Sequence, residues 1–497
     1  MEHSLRARRR YALILAVAGL LVFAVVVAKL EQWFPPGFPD STTMGAGAGA
    51  KLACSGVYLQ GRAPDQVVER DLRPFNSPLL ARASFSFDAG SQTASAEYYG
   101  FFKRTALYRP GLGCTLMIDA DRADLLAQAE GIPIPQMPAA SAEAWPAGRG
   151  AGLADLPAGA SKLALEAAID AAFAEDAPGT TIDTRALVVV QDGRLIAERY
   201  APGFDRESRF LAWSASKSIT SALIGTLVTD GELDLDAAAP IPAWRSDDDA
   251  RGAITLRHLL TMTDGLAFVE HPYGPGNDST NMLFKEADMA AYTAARPLAH
   301  DPGTHWSYSS GTTNLLSQIL FDSAGSNLAG LQDFVWSRFF GPAGMHSSVF
   351  EVDVSGAQVG SSYFYATARD WARFGLLFLN EGEINGQQLL SPEYVRFAVT
   401  PIAQAPEGRY GGQFWLNAGD PQDPGKRFLP DAPRDLFMAA GFNGQFIVVV
   451  PSRNTVIVRA GWTNGEAAFD INRHVAAILA ALPEVGAETG PAAAPAR

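Results

Sequence analysis

Phe210 to Gly225 reads FLAWSASKSITSALIG. Apolar residues dominate the stretch, yet Ser214, Ser216 and Lys217 crowd its first turn. Ser214 and Lys217 stand three apart, so on a helix their side chains emerge on one face within mutual reach. A serine hydroxyl is a weak nucleophile until a base takes its proton. Lysine can be that base only where burial or a second cation lowers its pKa. The residues that follow, ITSALIGTLV, supply an apolar setting of this kind. A blander reading makes Ser214 or Ser216 an N-cap and lets Lys217 snorkel to water.

Four further strings bear on the choice: TLRHLLTMTDGL (Thr255–Leu266), PGTHWSYSSGTTNLL (Pro302–Leu316), YATARDWARFGLLFLNEGEINGQQLLSPEYV (Tyr365–Val395) and AAGFNGQFIVVVPSRNTVIV (Ala439–Val458). With WSASK, and in this order, they closely resemble the serine hydrolases related to class C β-lactamases, D-alanyl-D-alanine peptidases and hydrolases of the 6-aminohexanoate-oligomer type. The resemblance spans about Leu163 to Leu482. It implies that Ser214 is the acylated serine, Lys217 the lysine of the same motif, and Tyr308 a tyrosine that shuttles the proton between nucleophile and leaving group. It also places the third motif at Ala439-Ala440-Gly441, an edge strand. There the amide of Gly441 or Phe442, with that of Ser214, would form an oxyanion hole. Two departures matter. Position 310 is Ser310 where the family usually has asparagine, and the third motif lacks its lysine. Both point toward an esterase or amidase. A true β-lactamase or D-alanyl-D-alanine peptidase is the first alternative, and a non-catalytic envelope-binding protein on the same fold is the second.

The coarse pattern fits an α+β fold. Leu163–Phe173 is an amphipathic helix, and Ala186–Ala201 is a hairpin turning at Asp192-Gly193, a pair suited to a type I′ turn. A long helical region follows. Strands return at QFIVVV and VIVRA, before a closing helix from Ala468 to Leu482. This order predicts an antiparallel sheet flanked by helices with an inserted all-helical lobe and a cleft between the two. The hydrolase domain is expected over 161–483, with a disordered tail at 484–497.

Upstream, Arg6, Arg8, Arg9 and Arg10 precede an apolar run, Tyr11–Ala28, of about 18 residues and roughly 27 Å at ~1.5 Å per residue. Positive charge stays on the cytoplasmic side, so the remainder is expected across an inner membrane, in the periplasm, held by a transmembrane helix. Cleavage of a signal peptide after Val26-Val27-Ala28 is the alternative. Ser41–Ala50, STTMGAGAGA, reads as a flexible spacer, so that residues 1–50 are basic segment, anchor and spacer. Residues 51–138, with ASFSF and AEYYGFF, form a small strand-rich module, and 139–160 a linker. In an exported chain Cys54 and Cys114, the only two cysteines, are expected to pair.

A formal charge of −14 argues against a nucleic-acid partner. The histidines show neither HxH nor HExxH spacing, so no metal and no cofactor is expected. There is no G-x-S-x-G elbow either. His258 is expected to be structural. Tyr273 and Asp278, in a Gly/Pro-rich loop, and Ser310 are candidate substrate contacts. The remaining partners are a small-molecule amide or ester and the membrane.

Overall fold

The structure, a computed structural model, describes residues 38–75, 79–134, 145–148, 150, 152–174, 181–271, 277–423, 425–464 and 469–484. The apolar run Tyr11–Ala28, Tyr273, residues 135–144 at the junction of the 51–138 module with the 139–160 linker, and nearly all of the 484–497 tail lie outside them. Among the described residues no helix is long and apolar enough to cross a membrane.

Helix α1, Phe38–Cys54, comes first. It corrects the expectation of a flexible spacer at Ser41–Ala50. Glycine disfavours an isolated helix, but here small side chains let the helix lie close to its neighbours. A Cβ at Gly47 would come 2.9 Å from the Phe284 carbonyl oxygen, so only glycine permits that approach. Beside α1 runs an antiparallel sheet in sequential order: β1 (Ser84–Asp88), β2 (Thr93–Glu97), β3 (Arg104–Arg109) and β4 (Gly113–Leu116). Cys54, the last residue of α1, is disulfide-bonded to Cys114 on β4. Closing a loop of this length is worth roughly 4 kcal/mol on the chain-entropy model.

Described parts of the 139–160 stretch are docked rather than free. Trp145 is buried, Arg373 donates to the Pro146 carbonyl at 2.8 Å, and the Ala154 amide donates to Leu195 O at 2.8 Å.

Helix α2 (Lys162–Phe173) leads into β5 (Thr184–Gln191) and β6 (Arg194–Tyr200). Asp192 and Gly193 both have positive φ, 52° and 70°, as a type I′ turn demands. Then follow α3 (Ser216–Thr229), α4 (Asp278–Lys285), α5 (Ser310–Ser323) and α6 (Ala368–Leu379). The chain returns through β7 (Trp415–Leu416), β8 (Phe437–Gly441), β9 (Gln445–Val450) and β10 (Thr455–Gly461), and α7 (Ile471–Ala480) follows. The main sheet is antiparallel throughout, in the order β7-β8-β9-β10-β5-β6.

The run TRALVVVQ of β5 is buried at every position because both faces of the sheet are covered. Its alternation sends Leu187 and Val189 to a core with α2 and α7, and Val188 and Val190 to a core with α3 and α6. The insert between β6 and β7 is not all-helical. Arg209–Leu211, Phe364–Thr367 and Val349–Phe350 form a small sheet, and Glu383–Ile384 pairs with Gln387–Gln388. Strands of two to four residues are too short for an alternating pattern to reveal.

Candidate active site

Ser214 lies in a single turn of 3-10 helix, Trp213–Ala215, that opens into α3. The turn is held from the small sheet: Ala212 N donates to Phe364 O at 2.9 Å, and Phe364 N donates to Ser216 Oγ at 3.1 Å. Trp213, next to the serine, has φ +48°, in the left-handed region. That conformation costs a non-glycine residue about 1 kcal/mol or more. Packing against Phe442, edge-on at 5.7 Å, and against Phe75 and Trp462 holds it there. The strained turn leaves Ser214 half-buried at the cleft while Lys217 is 1% exposed.

Lys217 spends its three donors on three acceptors: Ser214 Oγ at 3.1 Å, Ser310 Oγ at 3.1 Å and Ser361 O at 3.0 Å. Burial pushes its ammonium down to about 8, and the charge of Glu270 opposes the shift. Glu270, itself buried, accepts from Ser310 Oγ at 2.7 Å and from Ser310 N at 2.9 Å. Ser310 begins α5, so the carboxylate also sits where a helix N-terminus favours negative charge. A continuous chain therefore runs Glu270–Ser310–Lys217–Ser214. Glu270 was not singled out from the sequence. Its one signal was an acid placed after the largely apolar GLAFV.

Tyr308 is half-buried between Tyr410 and Trp415, with ring centroids 6.1 and 5.4 Å away. Its own ring centroid is 4.9 Å from Lys217 Nζ, within cation–π range. Serine, lysine and tyrosine are thus brought together.

Gly441 ends β8 directly against the serine turn. Any Cβ there would fall 2.0 Å from Ala212 O and 3.2 Å from Ala215 N. β8 is not the outermost strand, because β7 pairs with its first two residues, Phe437 and Met438. Phe442, in the turn after β8, is 39% exposed and lines the cleft.

The candidate substrate contacts divide. Ser310 is buried at the start of α5 and bonded to Lys217 and Glu270, so it is a link in that hydrogen-bond chain, and it also lines the cleft. The Asp278 carboxylate is taken up by Val269 N at 2.7 Å, Tyr292 Oη at 2.6 Å and Arg296 at 3.2 Å, which fastens a loop to helices. His258 closes a capping box with Thr255, a structural role. Among the described residues no cluster suited to a metal ion occurs.

A cavity of about 420 Å³ adjoins Ser214, Glu270 and Ser310. A larger recess, about 550 Å³, lies between His258 and Phe397. Two of its three threonines, Thr261 and Thr263, hydrogen-bond each other, and among the described residues that line it there is no serine–lysine pair like that at Ser214.

An antiparallel sheet flanked by helices thus holds a half-buried serine and a buried lysine one turn apart. Residues 169–482, well over half of the chain, match the Beta-lactamase family, and the protein belongs to that family of serine hydrolases. It is similar to the 6-aminohexanoate-dimer hydrolase of Paenarthrobacter ureafaciens, 24% identical over 301 residues, covering 56% of this chain and 72% of that one. Protein Rv1367c of Mycobacterium tuberculosis is 27% identical over 267 residues, covering 43% and 65%. A solved Bacillus anthracis structure assigned as a 6-aminohexanoate-dimer hydrolase superposes with TM-score 0.51 at 23% identity, over 67% of this chain and 88% of that one, a likeness of fold alone.

Proposed function

We propose that the protein is an exported hydrolase that cleaves an ester or amide through an acyl-enzyme on Ser214. The observation that carries this reading is the 3.1 Å contact between Ser214 Oγ and Lys217 Nζ, on a lysine whose pKa is pulled down to about 8. In its neutral form Lys217 takes the Ser214 proton as Oγ attacks the carbonyl carbon. The carbonyl π electrons move to oxygen. Backbone amides of Ser214 and of Gly441 or Phe442 are the donors proposed for that oxyanion. As the tetrahedral adduct collapses, Tyr308 passes its proton to the leaving alcohol or amine and takes the proton held by Lys217 in its place, which leaves the lysine neutral for the next step. A water molecule then releases the acyl group by the reverse sequence and restores Ser214.

Support for an esterase or amidase over a penicillin-directed enzyme comes from the cavity. The described residues that line it are largely apolar, Met44, Leu52, Leu283 and Phe284 among them, which suits an uncharged ester or linear amide. A purely binding role would have no use for a buried amine held against a hydroxyl. Export is supported by the arginine-flanked apolar run and by the Cys54–Cys114 bond, which persists in oxidising compartments. A single-pass inner-membrane anchor is the arrangement we favour.

The test is turnover of short nitrophenyl esters, aminohexanoate oligomers and nitrocefin by the wild type and by Ser214→Ala. Ester or linear-amide turnover that falls by about 10³-fold or more in the variant supports the reading. Nitrocefin as the preferred substrate would contradict it.

A further inference from the structure

We infer that the cavity beside Ser214 receives an apolar chain carried by the ester or amide, and that its outer wall is built by the N-terminal segment, outside the 169–482 family match. The inference rests on the hydrolase reading and names its substrate class.

The polar groups that line the cavity include Ser214, Glu270 and Ser310, which are joined to one another through Lys217 and so mark its reacting end. Much of the rest is hydrocarbon. On one side α1 presents Met44, Ala48 and Leu52, spaced four apart and therefore on one helix face. Leu283, Phe284 and Trp213 add to this apolar lining. A volume of about 420 Å³ is of the size that ligand-binding clefts usually have. A reaction at the polar end needs none of this surface, so the apolar part serves a portion of the substrate that does not react.

The wall is firmly held, as a preformed site requires. Gly47 brings α1 onto the Phe284 backbone. Cys54 ties its last turn to β4. Lys51 and Ser55 both bond Glu351 of the hydrolase body. The N-terminal segment thus completes the substrate site rather than only separating the enzyme from a membrane.

The experiment measures kcat/KM for p-nitrophenyl esters from acetate to octanoate, and in a second arm for alkyl acetates of rising alcohol length. The acyl arm reports a chain on the carbonyl side and the alcohol arm one on the leaving-group side. In one arm, kcat/KM is expected to rise about fourfold per methylene until the cavity is filled. Ala48→Phe moves the optimum to shorter chains. Leu283→Ala, on α4, moves it to longer ones and serves as the readout should Ala48→Phe not fold. Hydrolysis that is indifferent to chain length in both arms overturns the inference and leaves the hydrolase reading standing. If the wild type turns over no ester or amide at all, the hydrolase reading fails and the inference falls with it.

Discussion

Lys51 on α1 and Glu351 in the hydrolase body, 300 residues apart in the chain, form an ion pair with side chains 3% and 0% exposed. Ser55 Oγ and Cys114 N also donate to this carboxylate, at 2.8 and 2.7 Å. Burial pushes the Glu351 carboxyl up and the Lys51 ammonium down, and their mutual attraction opposes both shifts. One carboxylate therefore joins the cavity wall, the disulfide-bearing strand and the body that carries Ser214.

Removing one partner of such a pair leaves the other charge buried and alone, at a cost of about 3–5 kcal/mol. Glu351→Ala is expected to lose that much stability in urea unfolding. The double replacement Lys51→Met with Glu351→Leu should recover most of it, because no lone charge remains.

The lowered pKa of Lys217 sets the pH profile. Its neutral form is the base, so kcat/KM should climb as pH rises through about 8. The sign for stability is the same. The unfolded lysine holds a proton that the folded one releases between about 8 and 10.5, so Lys217 destabilises the fold most below that window. Wild-type stability relative to Lys217→Met should accordingly increase over this range, as followed by urea midpoints at each pH.

Glu270 raises the Lys217 pKa against the effect of burial. Glu270→Gln keeps an acceptor for Ser310 and removes the charge. The rising limb of the pH profile should move to lower pH, a displacement that loss of packing alone would not produce.

Gly441→Ala places a methyl group 2.0 Å from Ala212 O. Either β8 or the serine turn must shift. Loss of one oxyanion donor costs about 3–4 kcal/mol in the barrier, so kcat should fall about 10²–10³-fold. Thermal melting, by contrast, should drop only modestly, consistent with about 1–3 kcal/mol of overpacking.

These residues differ in how far the sequence disclosed them. Ser214 and Lys217 drew attention by their spacing of three, Tyr308 only through the family resemblance of the strings around it, and the β5–β6 hairpin was legible because Asp192-Gly193 declares its own turn. Glu270 was not, since its partner Ser310 lies 40 residues away and only tertiary structure joins them. Helix α1 was hidden for another reason. GAGAGA has low intrinsic helicity, and it is the close approach to Phe284 that makes small residues favourable there. The strands in the helical insert were too brief to carry a period.

The central claim is that Ser214 is the nucleophile. Its most direct test is reaction of the folded protein with a fluorophosphonate, followed by proteolysis and mass mapping of the adduct. A single adduct on Ser214, abolished in Lys217→Met, is the expected result. An adduct on another residue, or undiminished labelling once Ser214 is replaced by alanine, would contradict the account.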